Sequence, residues 1–257
     1  MVFYIIAPSA DECPCEHSIE AGKADGVRHF DHHKPEHRYN PAPCRDERIP
    51  VAKDGDTIVI THMDADTFVG LLRLSGGAVP TDLGFDLMEE IDLNGSSVCP
   101  NPYNTLLYML GVGQMARDLK FPRPSADGPV DVTSLVEAIM AKTEEKIIDM
   151  GRRVYEKSEA AYRDCKVAVN GPVGFWVIGP DDAFDPSRPY QDGVEVVVVF
   201  RRHYESISIY CSPASDKAFG GQEIAGIQFA GHPKAAGSPR GVAFAEQDAR
   251  MVYEALF

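Results

Sequence analysis

The sequence predicts an α/β protein: a parallel-sheet N-terminal domain over 1–165, followed by a smaller mixed α/β domain over 166–257. Three observations predict it. Short β-branched and aromatic runs alternate with helical segments through the first part of the chain. A long amphipathic stretch, 131–164, follows, and beyond it strands crowd together between turn-rich loops. At 257 residues, 44% hydrophobic and 25% charged, the chain has the composition of an ordinary globular protein with a sizeable core.

Each element has its own signal. "VFYIIA" (2–7), "GVRHF" (26–30) and "TIVIT" (57–61) read as buried strands, the third most clearly, because it is short, β-branched and followed at once by polar residues. "DTFVGLLRLSGG" then carries a capping-type start at Asp66 or Thr67, helical apolar spacing and a Gly-Gly stop. Further helices are expected at 82–92, at 103–119 and over 131–164, the last free of proline and of glycine except Gly151. "KVAVN", "GFWVIG", "VEVVVVF" and "SISIYC" are strands of the second domain, and "AEQDARMVYEAL" is a closing helix. The helix over 131–164 could pack within the chain or pair with a second copy.

The charge balance is 25 basic against 39 acidic residues, net −14. Such a surface repels long duplex nucleic acid and anionic membranes, and it favours a small substrate or a short oligonucleotide end. No apolar run approaches the ~20 residues that cross a bilayer. "MVFYIIAPSA" lacks the basic start of a signal peptide, so a cytoplasmic location is expected. The six cysteines are scattered apart from "CPC", which argues against a disulfide framework. Cys13, Cys15 and His17 in "DECPCEH" invite a zinc reading, but no second cysteine pair at finger spacing follows.

Two segments carry metal-binding chemistry. "VRHFDHHKPEH" (27–37) crowds four of the eight histidines beside a carboxylate and offers Asp31, His32 and His33. "TIVITHMDADTF" sets His62, Asp64 and Asp66 at i, i+2 and i+4, so in extended chain all three leave one face, just past a buried strand. Carboxylates and imidazoles converging there repel or lose solvation unless a cation holds them. With oxygen and imidazole donors and no thiolate, the set favours manganese, magnesium, cobalt or iron over structural zinc. Six such groups suggest a pair of ions. In "FAGHPKAAGSPRG", Gly231 and Gly237 permit close backbone approach while His232, Lys234 and Arg240 supply charge, the makings of an anion-recognition loop.

With these residues in view, the sequence resembles the DHH family of phosphoesterases. "FDHH" (30–33) matches the name-giving motif, "THMDAD" (61–66) is similar to the family's first motif, and "FAGHPKAAG" (229–237) is similar to the glycine–histidine signature of the DHH-associated domain. The resemblance implies a metal-binding catalytic domain over 1–165 and a substrate-binding associated domain over 166–257. It implies a hydrolase of phosphoester or phosphoanhydride bonds, usually with two manganese ions, acting on a small phosphorylated compound or short oligonucleotide. In that reading His32 is a metal ligand, His33 polarises a phosphoryl oxygen, and Asp31 coordinates or orients an imidazole. The motif order is rearranged, since "DHH" precedes the His62–Asp66 segment. The nearest acid for the family's second motif is Asp11, and Asp92 in "GFDLMEEIDLNGSS" is preferred over Asp86, Glu89 and Glu90 for the fourth. The alternative is a nucleotide- or metal-binding regulator on the same fold without turnover.

Overall fold

The computed structural model describes residues 1–32, 40–99, 103–125 and 127–257, and the chain divides into two compact units, 1–93 with 101–153 and 94–100 with 154–257. The architecture is α/β, with a parallel-rich sheet in the first unit and a second sheet in the other.

In the first unit β1 (Phe3–Ile6), β2 (His17–Ile19), β3 (His29–Phe30), β4 (Thr57–Ile60) and β5 (Val130–Asp131) form one sheet in the order β3-β2-β4-β1-β5. The first four run parallel, and β5 lies antiparallel to β1. Ile6, Ile19, Ile58 and Ile60 are wholly buried, which explains why these strands read as apolar runs rather than alternating ones. α1 (Ala65–Leu74) packs Phe68, Leu71 and Leu74 into the same core. α2 (Phe85–Asn94) and α3 (Asn104–Asp118) follow, close to the segments expected for them.

Two elements differ from expectation. β2 was not foreseen: at three residues, beginning His17-Ser18, it is too short to show a period, yet it lies fully buried between β3 and β4. The stretch 131–164 is not one helix but β5, then α4 (Thr133–Met140) and α5 (Glu144–Asp164). No proline or glycine marks the break; Thr143 caps the new helix, its hydroxyl accepting from the Lys146 amide at 3.5 Å, and Glu144 and Glu145 fill the first turn. Gly151 serves packing, since a Cβ there would stand 1.7 Å from the Leu107 carbonyl oxygen on α3.

The second unit contains β6 (Lys166–Asn170), β7 (Val173–Ile178), β8 (Val196–Arg201), β9 (Ser206–Cys211), the small hairpin of β10 (Glu223–Ile224) and β11 (Ile227–Gln228), then β12 (Ala230–His232) and β13 (Ala235–Gly237). Its main sheet runs β12-β13-β9-β8-β7-β6, with β7 and β8 parallel. α6 (Glu246–Glu254) covers one face with Ala249, Val252 and Tyr253, while Trp176 packs on the other with Val197, Val199 and Phe184. Among the described residues no helix is long and apolar enough to cross a membrane.

Candidate metal centre

Strand register builds the site. Ile19 of β2 stands opposite Ile60 of β4 and Phe30 of β3, so the next residues, Glu20, Thr61 and Asp31, leave three adjacent strands at one level. This is the carboxyl edge of a parallel sheet, where such folds receive ligands. Glu20 adopts φ 53°, a left-handed conformation that costs a non-glycine residue of order 1–3 kcal/mol. Its neighbours hold it there: its amide donates to Phe30 O at 2.8 Å, its carbonyl accepts from the Thr61 hydroxyl at 2.6 Å, and the Gly22 amide donates to Asp31 Oδ2 at 2.6 Å.

A second contribution comes from the start of α1. Asp64 is the N-cap, extended in backbone, and its Oδ1 accepts from the Thr67 amide at 2.9 Å. Asp66 lies in the first turn, where the helix dipole favours an anion. Its Oδ1 accepts from the Cys44 amide at 2.5 Å. Its buried Oδ2 makes no hydrogen bond among the described residues and stands 3.3 Å from His32 Nε2. α2 supplies the third wall: Glu89 and Asp92, three apart on one helix face, both turn toward His32.

The result is a ring of carboxylates about one imidazole. His32 Nε2 lies 3.7 Å from Glu20 Oε1, 3.3 Å from Asp66 Oδ2 and 3.8 Å from Asp92 Oδ2, while Nδ1 lies 3.6 Å from Glu89 Oε1. Glu20, His32 and Asp66 are buried and offer one ligand atom each, all within 4.8 Å of one another. A divalent ion bonded at about 2.1 Å to two donors holds them about 3.0 Å apart when adjacent and about 4.2 Å when opposite in an octahedron, and the separations from His32 Nε2, 3.3, 3.7 and 3.8 Å, fall between. Among the described residues Glu20, Asp66 and Asp92 face the one imidazole, while Arg45 holds Glu89 in an ion pair. Oxygen and imidazole donors gathered from separate elements in this way suit a hard-to-borderline divalent ion. The residues therefore fit a divalent metal. No thiolate takes part: burial first, then the Asp66 carboxylate, pushes the Cys44 thiol pKa well up.

The sequence-predicted residues divide around this ring. His32, Asp66 and Asp92 stand together in it. His62 and Asp64 pair with each other instead, Nε2 to Oδ2 at 2.7 Å, and His62 Nδ1 meets the Thr61 hydroxyl at 2.8 Å. Burial would raise the Asp64 carboxyl, but His62 and the Thr67 amide outweigh it and hold its pKa below the ordinary value. Asp31 is buried and fastens the turn after Glu20 through Gly22. Asp11, the acid expected to complete the set, is exposed and pairs with Lys23 at 2.6 Å; the acid beside the imidazole is Glu20. His33 and His37 lie outside the described residues. His17 Nε2 faces Asp56 at 3.4 Å rather than Cys13 or Cys15, both of which are free thiols.

In the second unit, Gly231, His232 and Lys234 sit on or between β12 and β13, and Arg240 is exposed beyond them. Gly231 takes φ 120°, and His232 Nδ1 accepts from the Lys234 amide at 3.1 Å. The Lys234 ammonium donates to the carbonyls of Ser215 and Lys217, which commits two of its three donors to the fold.

Sequence reasoning missed Glu20 and Glu89. Glu20 follows a strand too short to recognise, and its only signal is an acid placed to exit level with the histidines of the next strand. Glu89 was set aside as a solvated helical acid, yet its spacing of three from Asp92 puts both on one face.

No family model matches the sequence, and no curated protein does. Among solved structures, the chain is similar to a pGpG-specific phosphodiesterase, PggH, from Vibrio cholerae, over 84% of this chain and 87% of that one, at 12% identity and a TM-score of 0.42. An exopolyphosphatase-related protein from Bacteroides fragilis is similar over 93% of this chain and 81% of its own, at 12% identity and a TM-score of 0.30. An uncharacterized protein from Helicobacter pylori is similar over 76% and 68%, at 10% identity and a TM-score of 0.26. These likenesses are loose, and no family follows from them.

Proposed function

We propose that this chain is a metal-dependent hydrolase of phosphoester or phosphoanhydride bonds, of the DHH type, acting on a small nucleotide, short oligonucleotide or other small phosphorylated compound. The observation that carries the reading is the buried group of Glu20, His32 and Asp66 at the carboxyl edge of a parallel sheet, with the half-buried Asp92 beside it. Glu20, His32, Asp66 and Asp92 would hold the first ion, manganese in this reading, and Asp64 and His62 on the same connection would join a second by exchanging their mutual hydrogen bond for it. Bound there, such ions would acidify a water and clamp phosphoryl oxygens.

The rest of the work falls to the chain. Asp31 positions Glu20 by holding the Gly22 amide, and the Cys44 amide fixes the rotamer of Asp66. Arg45 holds Glu89 against the Nδ1 side of His32, so the Nε2 side faces the ligands. His33, next to His32 in sequence, polarises a phosphoryl oxygen, and in the second unit Gly231, His232, Arg240 and the one uncommitted donor of Lys234 offer an anion-recognition loop.

The test is hydrolysis with Mn²⁺ across a panel of dinucleotides, short oligonucleotides, nucleotides and pyrophosphate. Metal-dependent release of phosphate or nucleoside monophosphate is expected, falling about 10³-fold or more in a folded Asp66→Asn variant. A parent protein as inert as that variant over the whole panel would leave a binding protein, not an enzyme.

A further inference from the structure

The first unit contains an open cleft of about 860 Å³ beside the β4–α1 connection. Thr61 and His62 form one side; Arg117 of α3 and the following Lys120, Phe121 and Arg123 form the other. Among the described residues no aspartate or glutamate lines it, in a chain of net charge −14. Arg117, Lys120 and Arg123 are all exposed, and among the described residues none forms an ion pair with a carboxylate; Arg117 donates only to Gln114 Oε1, at 3.2 and 2.8 Å. The neighbouring Asp118 is engaged by the Gln114 amide at 2.6 Å.

The chain also goes out of its way to present these cations. Lys120 takes φ 52° at the left-handed position that ends α3, where glycine is the usual residue. Its amide returns to Arg117 O at 2.9 Å and that of Phe121 to Ala116 O at 2.8 Å, which turns 120–123 back along the cleft. Three cations without an ion-pair partner among the described residues line one concave surface, the makings of an anion site, and the half-buried Phe121 ring adds an apolar wall. His62 belongs to this cleft and to the pair with Asp64, two residues before Asp66, so the cleft adjoins the metal-binding connection.

We propose that this cleft is a second anion subsite, which takes a non-scissile phosphate of the substrate. The inference rests on the hydrolase reading above and narrows it: compounds with two or more phosphates, as in a 5′-phosphorylated dinucleotide or a condensed phosphate, are preferred over simple esters with one.

The test separates the subsite from the chemistry. Binding of a fluorescent 5′-phosphorylated dinucleotide is followed by anisotropy with all metal chelated, in the parent, in Arg117→Gln/Arg123→Gln and in Arg152→Gln/Arg153→Gln on α5. The first double variant is expected to bind about tenfold more weakly or worse, with a shallower salt dependence, while the second binds as the parent does. Tripolyphosphate displaces the probe. The subsite is refuted if the parent does not bind, if both double variants bind alike, or if tripolyphosphate fails to compete. A parent that binds in this way yet hydrolyses nothing with Mn²⁺ would refute the hydrolase and keep the subsite. When turnover is measured, kcat/KM for the dinucleotide falls in Arg117→Gln/Arg123→Gln while that for bis(p-nitrophenyl) phosphate stays unchanged; equal losses on both would count against the subsite.

Discussion

Asp64 and Asp66 stand two residues apart on one turn and live in opposite electrostatic worlds. Asp64 brings its own counter-group: His62 lies on one oxygen, the Thr67 amide on the other, and the pair is part-exposed to water. Asp66 is buried, receives one backbone amide, and turns its second oxygen toward a histidine that three further carboxylates also face. The first arrangement is electrostatically complete as it stands. The second draws carboxylates from three separate elements toward one imidazole, a set that a divalent cation would suit. Carboxylates in a row therefore do not by themselves mark a metal site; what marks one is convergence of acids and imidazole from separate elements.

That contrast can be broken experimentally, beginning where the effect is largest. Glu20→Gln removes the charge of one candidate ligand and should lower Mn²⁺-dependent phosphohydrolase turnover about 10³-fold, whereas Asp11→Asn, altering an acid that pairs with Lys23 at the surface, should leave it unchanged. Equal losses in the two, measured as kcat/KM, would mean that the ligand set is wrongly chosen. A smaller effect is expected on the complete side of the turn. Asp64→Ala deletes an N-cap and should lower the unfolding free energy in chelator by about 1 kcal/mol, read from urea midpoints at constant slope.

The smallest effect concerns the strand that delivers His32. The Asp25 carboxylate accepts from the amides of Val27, Arg28 and His29, which turn the chain into β3. Slight burial opposes ionisation there, but those amides win and lower its pKa from 3.8 to about 2. A depressed carboxylate pKa contributes stability that is complete above the unfolded value and is lost as pH falls through the folded one. The parent should therefore lose a small increment of stability between about pH 4 and pH 2 that Asp25→Asn never had. Parallel stability–pH curves for the two would dismiss the turn as a contributor.

How much of this could be read in the sequence follows the same physics. β4 and α1 were legible because the first is β-branched and wholly buried and the second has an apolar period between a cap and a Gly-Gly stop. His32, Asp66 and Asp92 could be nominated because they lie next to such elements. Glu20 could not, because β2 is made of His17, Ser18 and Ile19 and draws its stability from neighbours on both sides rather than from any pattern of its own. The break at 141–143 was hidden for a related reason: a threonine cap followed by two glutamates suits a helix interior almost as well as a helix start. Likewise Lys234 looked like a free cation, since nothing local announces the carbonyls of Ser215 and Lys217 that its ammonium meets.

The most direct test is the thermal midpoint of the parent and of Asp66→Asn, each with chelator and with Mn²⁺. The substitution keeps an acceptor for the Cys44 amide and removes one buried charge, so in chelator the variant should melt higher than the parent. Mn²⁺ should then raise the parent by several degrees and leave the variant where it was. A parent whose midpoint ignores Mn²⁺, or a variant that melts lower in chelator and is still stabilised by the ion, would contradict the account.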